Sequence, residues 1–152
     1  MDKVTYEYVI RGEPASKKNS NQIVRIHGVP RIINNKNYLA YKERAAVDLA
    51  NRQTDMPIFF PVKITCTYYR SSKRRVDKTN LESAVCDVLV ENHIIADDCR
   101  DIAADICGNV LYDKSEPRTE ITIESLPIGS YEVWNRELRV AGEEQLKRYL
   151  TE

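Results

Sequence analysis

The sequence predicts an α+β fold, in which a mixed, mostly antiparallel sheet packs against two principal helices. Helical periodicity occurs over residues 36–52 and again from about residue 80. The alternation of apolar and polar residues that is typical of strands occurs in four segments, 4–10, 62–68, 102–112 and 119–124. The 152 residues suit one domain over 1–126 and a C-terminal extension over 127–152.

The N-terminal third supplies one strand, one hairpin and one helix. Residues 4–10 form the strand, and a polar, basic loop over 16–21 follows it. Two short apolar segments flank His27 and Gly28, which predicts a hairpin turn. The helix over 36–52 has four buried candidates on one face: Tyr38, Tyr41, Ala45 and Leu49.

The second helix begins near Asn80 and ends near His93. Thr79 and Glu82 have the T-x-x-E spacing of a capping box, in which each side chain satisfies a free backbone N–H of the other residue. One buried stripe follows the helical repeat: Leu81, Ala84, Val85, Val88 and Leu89. A basic loop over 70–75 precedes this helix.

The C-terminal extension begins with turn-forming residues and closes with a short helix that ends at Leu150. Trp134 lies between these two parts. We expect this tryptophan to anchor the extension by packing rather than to act as a wedge in nucleic acid.

Composition indicates a cytoplasmic protein with no membrane partner. Hydrophobic residues make up 42% of the chain and charged residues 30%, and no apolar run approaches the roughly 20 residues that span a bilayer. The N-terminus has no signal-peptide apolar region. The cysteines form no C-x-x-C pair, which favours buried, reduced thiols over a zinc site: Cys66, Cys86, Cys99 and Cys107.

A net charge of zero conceals an uneven distribution of charge. Residues 1–78 carry 16 Lys/Arg and 7 Asp/Glu, whereas residues 79–152 carry 7 and 16. The split indicates a basic surface for a polyanion and an acidic cluster elsewhere, unless it reflects a coincidence of solvated faces. Lys17 and Lys18 either contact phosphate or serve solubility. The basic loop holds four cations in six residues, Arg70, Lys73, Arg74 and Arg75.

Acidic residues flank the second helix, with Asp77 before it and Asp97 and Asp98 after it. Phosphodiester hydrolysis uses a metal to generate hydroxide, and magnesium prefers one or two carboxylates together with water and phosphate. The helix is about 20 Å long, so its two acidic ends meet only if the connecting chain folds back or a second subunit intervenes. Asp87 is expected to cap or pair structurally rather than to bind metal.

Five segments occur in a fixed order: Gly12-Glu13-Pro14-Ala15-Ser16-Lys17-Lys18, Arg74-Arg75-Val76-Asp77-Lys78-Thr79-Asn80-Leu81, Asp87-Val88-Leu89, Asp97-Asp98 and Pro117-Arg118-Thr119-Glu120-Ile121. Their order and spacing resemble the RusA-like family of Holliday-junction resolvases over residues 4–125. The resemblance implies a homodimeric, metal-dependent endonuclease that acts on branched DNA, with Mg²⁺ as cofactor and no nucleotide cofactor.

The same resemblance implies site residues. In that family, both aspartates of a D-x-D segment and the second of a D-D pair bind the catalytic metal, and a lysine assists. By position, Asp77 and Asp98 are the implied catalytic metal ligands. We expect the neighbouring Asp97 to be a further metal ligand. The second family aspartate falls on Thr79 and the lysine on Ser83, which should weaken magnesium binding and remove a phosphate contact.

These departures allow more than one function. Either Asp97 or Asp101 compensates for the missing carboxylate, or the chain is a degraded nuclease that still binds branched DNA. A third class is an interaction protein unrelated to DNA. For the nuclease and the DNA binder, the expected DNA-binding residues are Lys17, Lys18, Arg70, Lys73, Arg74 and Arg75.

Overall fold

The computed structural model describes residues 2–17, 21–34 and 36–152. The described elements follow one another along the chain as β1 Thr5–Arg11, β2 Asn21–Ile26, β3 Val29–Asn34, α1 Lys36–Asp48, β4 Val62–Arg70, α2 Lys78–Glu91, β5 Ala103–Tyr112, β6 Arg118–Ser125 and α3 Arg136–Thr151. No described helix is both long and apolar enough to cross a membrane.

The main sheet has four strands in the order β1-β6-β4-β5. Strand β6 is antiparallel to β1 and to β4, whereas β4 and β5 are parallel. A parallel pair needs a crossover connection, and α2 lies in the one that joins β4 to β5. The predicted α+β class with a mixed, mostly antiparallel sheet is therefore confirmed.

Strands β2 and β3 form a separate two-stranded sheet. Their turn residues, His27 and Gly28, both have positive φ, of 52° and 78°. Two consecutive positive φ values are the signature of the tight turn whose twist matches an antiparallel hairpin. The predicted hairpin is confirmed.

Residues of α1, α2 and α3 form the core together with one face of the sheet. Strand β4 alternates strictly, and Val62, Ile64, Cys66 and Tyr68 are all buried. The predicted stripe of α2 is buried as well: Leu81, Ala84, Val85, Val88 and Leu89. Period-2 and period-3.6 patterns therefore predicted these two surfaces correctly because both face the same core.

The start of α2 differs from the prediction. The helix begins at Lys78, with Asp77 in an extended conformation (φ −86°, ψ 116°) as its N-cap. The backbone carbonyl of Asp77 accepts the N–H of Asn80 at 3.1 Å. Thr79 therefore lies inside the first turn, where its side chain cannot act as the N-cap, and the predicted capping box with Glu82 is wrong.

The C-terminal helix is longer than predicted. Instead of a short segment, α3 has 16 residues, and its Leu146 and Tyr149 belong to the hydrophobic core. A Cβ atom added at Gly142 would lie 2.7 Å from the carbonyl oxygen of Phe59. This glycine therefore permits close contact between α3 and the chain that leads into β4.

The cysteines are all free, and Cys66 and Cys86 are buried as predicted. Cys99 and Cys107 are only half-buried, so the prediction of buried thiols is wrong for these two. Burial raises the pKa of the Cys66 thiol and that of the Cys86 thiol to about 12. They are therefore protonated at neutral pH, as expected of inert structural thiols.

Candidate active site

After α2 the chain turns and runs back along the helix. His93, with a φ of 59°, lies in the turn that follows the helix. The next residues are held beside a distant segment, because the carbonyl of Ile94 accepts the N–H of Ile58 and the carbonyl of Ile58 accepts the N–H of Ala96, both at 3.0 Å. The connection therefore follows a defined path from the C-terminus of α2.

This path places Asp98 beside the first half of α2. Asp98 lines a cavity of about 310 Å³ whose other walls come from α2 and β5: Thr79, Glu82, Ser83, Cys86 and Ile106. The sequence left open whether the two ends of α2 approach each other by folding back or through a second subunit. Within this chain, the fold-back brings Asp98 to Thr79.

Asp77 has a different position. It is exposed at the N-cap of α2, where one carboxylate oxygen accepts the side-chain N–H of Asn80 at 3.4 Å. It is not among the residues that line the cavity of Asp98. In the described part of the chain, no three His, Cys, Asp or Glu side chains converge closely enough to form a metal cage.

The two acidic residues considered as substitutes for the missing carboxylate both have local roles. Asp97 accepts the backbone N–H of Asp98 at 2.8 Å, which uses one of its two carboxylate oxygens. Asp101 accepts the backbone N–H groups of Trp134 and Asn135 at 2.9 and 3.0 Å and pairs with Arg100. Asp101 is therefore engaged by the segment before α3, which makes Asp97 the less occupied of the two.

Trp134 remains 69% exposed, and its ring lies 3.8 Å from the guanidinium carbon of Arg100. The neighbouring Val133 is buried instead. The apolar anchor of this segment is therefore Val133, whereas Trp134 covers a cation at the surface.

A second cavity, of about 210 Å³, adjoins the first along α2. Ser83 lines both cavities, and the second is completed by Lys17, Asn80, Ala84 and Asp87. The β1–β2 connection thus brings Lys17 to the helix face where the family carries its lysine. This proximity in space is not visible in the sequence spacing.

Negative charge is concentrated around these cavities. Burial raises the pKa of Asp87, and the charges of Asp98 and Glu91 raise it further, against an opposing effect of Lys17. After burial, the charges of Asp98, Asp87 and Glu82 are what raise the pKa of the Cys86 thiol. Three carboxylates therefore act on one side of α2.

Asp87 makes no ion pair or hydrogen bond with a described residue, so its expected structural pairing is not found there.

Glu82 is the residue of this site that the sequence interpretation missed, because it was assigned to the capping box. The three-residue spacing between Thr79 and Glu82 could have indicated that Glu82 belongs to the site. Residues three apart lie on the same face of a helix, so Glu82 had to accompany Thr79 wherever Thr79 faced.

The basic loop is partly braced by its own contacts. Arg70 donates to the backbone carbonyl of Arg74 at 2.5 Å, and the ammonium of Lys73 lies 4.9 Å from the ring centre of Tyr112. Arg74 and Arg75 are exposed. These two arginines are therefore the cations of the loop most available to an external anion.

The loop is also tied to the segment that precedes Lys17, because Glu13 accepts the backbone N–H of Ser71 at 3.0 Å. Two predicted cationic surfaces, Lys17 and the basic loop, are thereby connected. Lys18, predicted with them, lies outside the described residues.

A protein-family model described as Endodeoxyribonuclease RusA matches residues 11–124. The matched range is three quarters of the chain and contains Lys17, the basic loop, α2 and Asp98, whereas α3 lies beyond it. No protein of curated function matches the sequence.

Proposed function

The chain belongs to the RusA endodeoxyribonuclease family, and on that premise we propose that it resolves four-way DNA junctions by metal-dependent hydrolysis of phosphodiester bonds. The observation that carries this proposal is the placement of Asp98 in a cavity beside the N-terminal half of α2. Asp98 is one of the two residues, with Asp77, that the family pattern assigns to metal binding.

The side chains at this cavity suit a magnesium ion. Asp98 and Glu82 supply carboxylates, and Thr79 and Ser83 supply hydroxyls, so the donors are hard oxygen atoms. Magnesium is usually held by one or two carboxylates, with water and substrate phosphate completing its coordination. When bound, the ion would polarise the scissile phosphate and lower the pKa of the attacking water.

We assign Asp98 and Asp77 as the catalytic metal ligands, with Asp97 as a further ligand. Asp98 accepts no hydrogen bond from a described side chain, and one oxygen of Asp97 is free of the local turn, so both can bind an ion. Asp77 lies immediately before the helix that carries Thr79 and Glu82. It does not line the cavity of Asp98, so its carboxylate would act on the cation from outside the cavity, at the N-terminal end of α2.

The cationic residues would hold the junction backbone. Arg74 and Arg75 present free guanidinium groups, with Lys73 beside them, while Arg70 keeps the loop in shape through the Arg74 carbonyl. Lys17 would supply, next to Ser83, the phosphate contact that the family lysine makes. Contacts of this kind position DNA without reading its sequence, so cutting should depend mainly on junction shape.

A homodimer is part of the proposal because a four-way junction is resolved by two symmetric cuts. Two copies of the chain would supply one active site for each cut. Closed twofold symmetry is also the commonest arrangement among soluble homo-oligomers.

Substitutions of the two catalytic aspartates test the proposal. Asp77→Asn and Asp98→Asn retain side-chain shape but remove the charge that holds the cation. Magnesium-dependent cutting of a synthetic four-way junction should fall by orders of magnitude while junction binding persists. Asp105→Asn, at an exposed position of β5, is the matched control and should cut as the wild type does. Wild-type rates in both test variants would show that the assignment is wrong.

A non-catalytic junction binder is the alternative that Thr79 and Ser83 favour, because each removes a charged group of the family site. Tight junction binding by the wild type without any cutting would support that alternative. Neither binding nor cutting would instead support an interaction protein unrelated to DNA.

A further inference from the structure

We propose that Glu82 replaces the missing second aspartate of the family site and binds the metal together with Asp98. The inference rests on the proposed metal-dependent function and adds one ligand to the proposed metal site. Its starting point is that Thr79, Glu82 and Asp98 line one cavity.

Helix geometry explains how the carboxylate of Glu82 can occupy the place where the family aspartate at position 79 would bind the metal. Side chains of an α-helix lean towards its N-terminus, so a helical residue covers the surface of the turn before its own Cα. Glu82 therefore extends over the turn that carries Thr79. The additional methylene of glutamate, compared with aspartate, lengthens this reach.

Glu82 is a largely covered carboxylate whose ion-pair partner is distant. Its side chain is only 14% exposed, and Lys78 approaches one of its oxygens at 3.8 Å, at the outer limit of an ion pair. The same ammonium donates to the carbonyl of Gly108 at 3.2 Å. Among the described residues, none donates a hydrogen bond to Glu82. A carboxylate this far removed from water normally has closer partners, and a divalent cation in the cavity would provide one.

The other acidic residues nearby are less suited to this role. Asp87 lines the neighbouring cavity with Lys17, and Asp97 has one oxygen in the turn that precedes Asp98. Asp101 is occupied by the backbone before α3. Glu82 is the acidic residue that shares the cavity of Asp98.

The test measures metal binding without DNA. Mn²⁺ binding to the full chain is titrated by electron paramagnetic resonance for the wild type, Asp98→Asn and Glu82→Gln. Loss of outer-shell partners alone weakens metal sites about 10–100-fold, so loss of a direct ligand should cost at least about tenfold. The matched control is Glu91→Gln, which removes a glutamate of the same helix whose lysine partner, Lys42, lies at 3.5 Å. It should bind Mn²⁺ as the wild type does.

A rescue variant separates a ligand from a merely structural residue. Adding Thr79→Asp to Glu82→Gln returns a carboxylate to the family position and should restore the Mn²⁺ affinity. The carbon-13 signal of the Glu82 carboxyl group should also shift when Mg²⁺ is added to the wild type, while that of Glu91 should not. This measurement applies even if a variant fails to fold.

The outcomes distinguish this inference from the function beneath it. Three outcomes would each overturn the role of Glu82. They are a wild-type Mn²⁺ affinity in Glu82→Gln, a lost Mn²⁺ affinity that Thr79→Asp does not restore, and a Glu82 carbon-13 signal that does not shift with Mg²⁺. The cutting assay on the wild type would still stand on its own result. A wild-type chain that binds no Mn²⁺ would overturn the metal site altogether, whereas one that binds Mn²⁺ but never cuts junctions would retain the site and lose the function.

Discussion

Removing the two exposed arginines of the basic loop should weaken DNA binding in a way that depends on salt. The variant Arg74→Ala/Arg75→Ala deletes both guanidinium groups. It leaves the backbone carbonyl of Arg74 in place, so the 2.5 Å hydrogen bond from Arg70 that braces the loop can persist. Exposed loop substitutions usually change the free energy of unfolding by less than about 0.5 kcal/mol, so the fold should be retained.

The expected magnitude follows from the number of free cations. Each phosphate neutralised on duplex DNA contributes about −0.9 to the slope of log affinity against log salt. Two contacts therefore account for a slope change of about 1.8. Between about 50 and 200 mM salt, wild-type affinity should fall roughly twelvefold further than that of the variant. The loss should be similar for junctions of different sequence, because phosphate contacts carry no base information.

Fluorescence anisotropy of a labelled four-way junction, measured without divalent metal to prevent cutting, gives the affinities. The matched control is Arg136→Ala/Lys147→Ala, which removes two exposed cations from α3. An unchanged slope in the folded loop variant, or an equal change in the α3 control, would show that the loop is no specific phosphate contact.

Two further predictions concern stability. Gly142→Ala should lower the free energy of unfolding, measured in urea, by about 1–3 kcal/mol, because the new Cβ would meet the Phe59 carbonyl. Alanine favours a helix over glycine by about 1 kcal/mol, so a rise in the free energy of unfolding that approaches this value would contradict the packing. The pKa of Asp87 is raised in the folded chain, first by burial and then by the charge of Asp98. The folded chain therefore binds the carboxyl proton of Asp87 more tightly than the unfolded chain does. As a result, it loses stability as the pH rises through the folded-state pKa. Asp87→Asn should therefore raise the melting temperature at pH 7 but not at pH 3, and an equal rise at both values would refute the electrostatic explanation.

The parts of the fold that the sequence predicted are those with one buried face. The alternation of β4 and the stripe of α2 both follow from contact with a single core. The start of α2 was misplaced because T-x-x-E spacing describes a possible cap without showing where the helix begins. The length of α3 was missed because buried Gly142 and Gln145 carry no apolar signal, and the helix depends on contacts with residues far away in the sequence.

The site was predictable only in part for a related reason. The sequence named Asp98 but could not place it, because its position depends on the backbone pairing of Ile94 and Ala96 with Ile58. The capping role of Asp101 likewise requires contact with a segment more than thirty residues later. Lys17 and Ser83 line one cavity across an even longer separation in the sequence. Such long-range contacts have no periodic signature.

The position of β6 has a consequence for synthesis. Strand β6 lies between β1 and β4, so within the four-stranded sheet the strand that comes first in the sequence pairs with the one that comes last, as Tyr8 does with Ile121. At roughly 5–20 residues per second, β1 waits roughly 5–20 s before its partner emerges. Throughout that delay Tyr8 and Ile10, later buried, have no sheet to cover them. A nascent chain should therefore expose β1 as an unpaired strand, and depend on chaperones, until β6 has been translated.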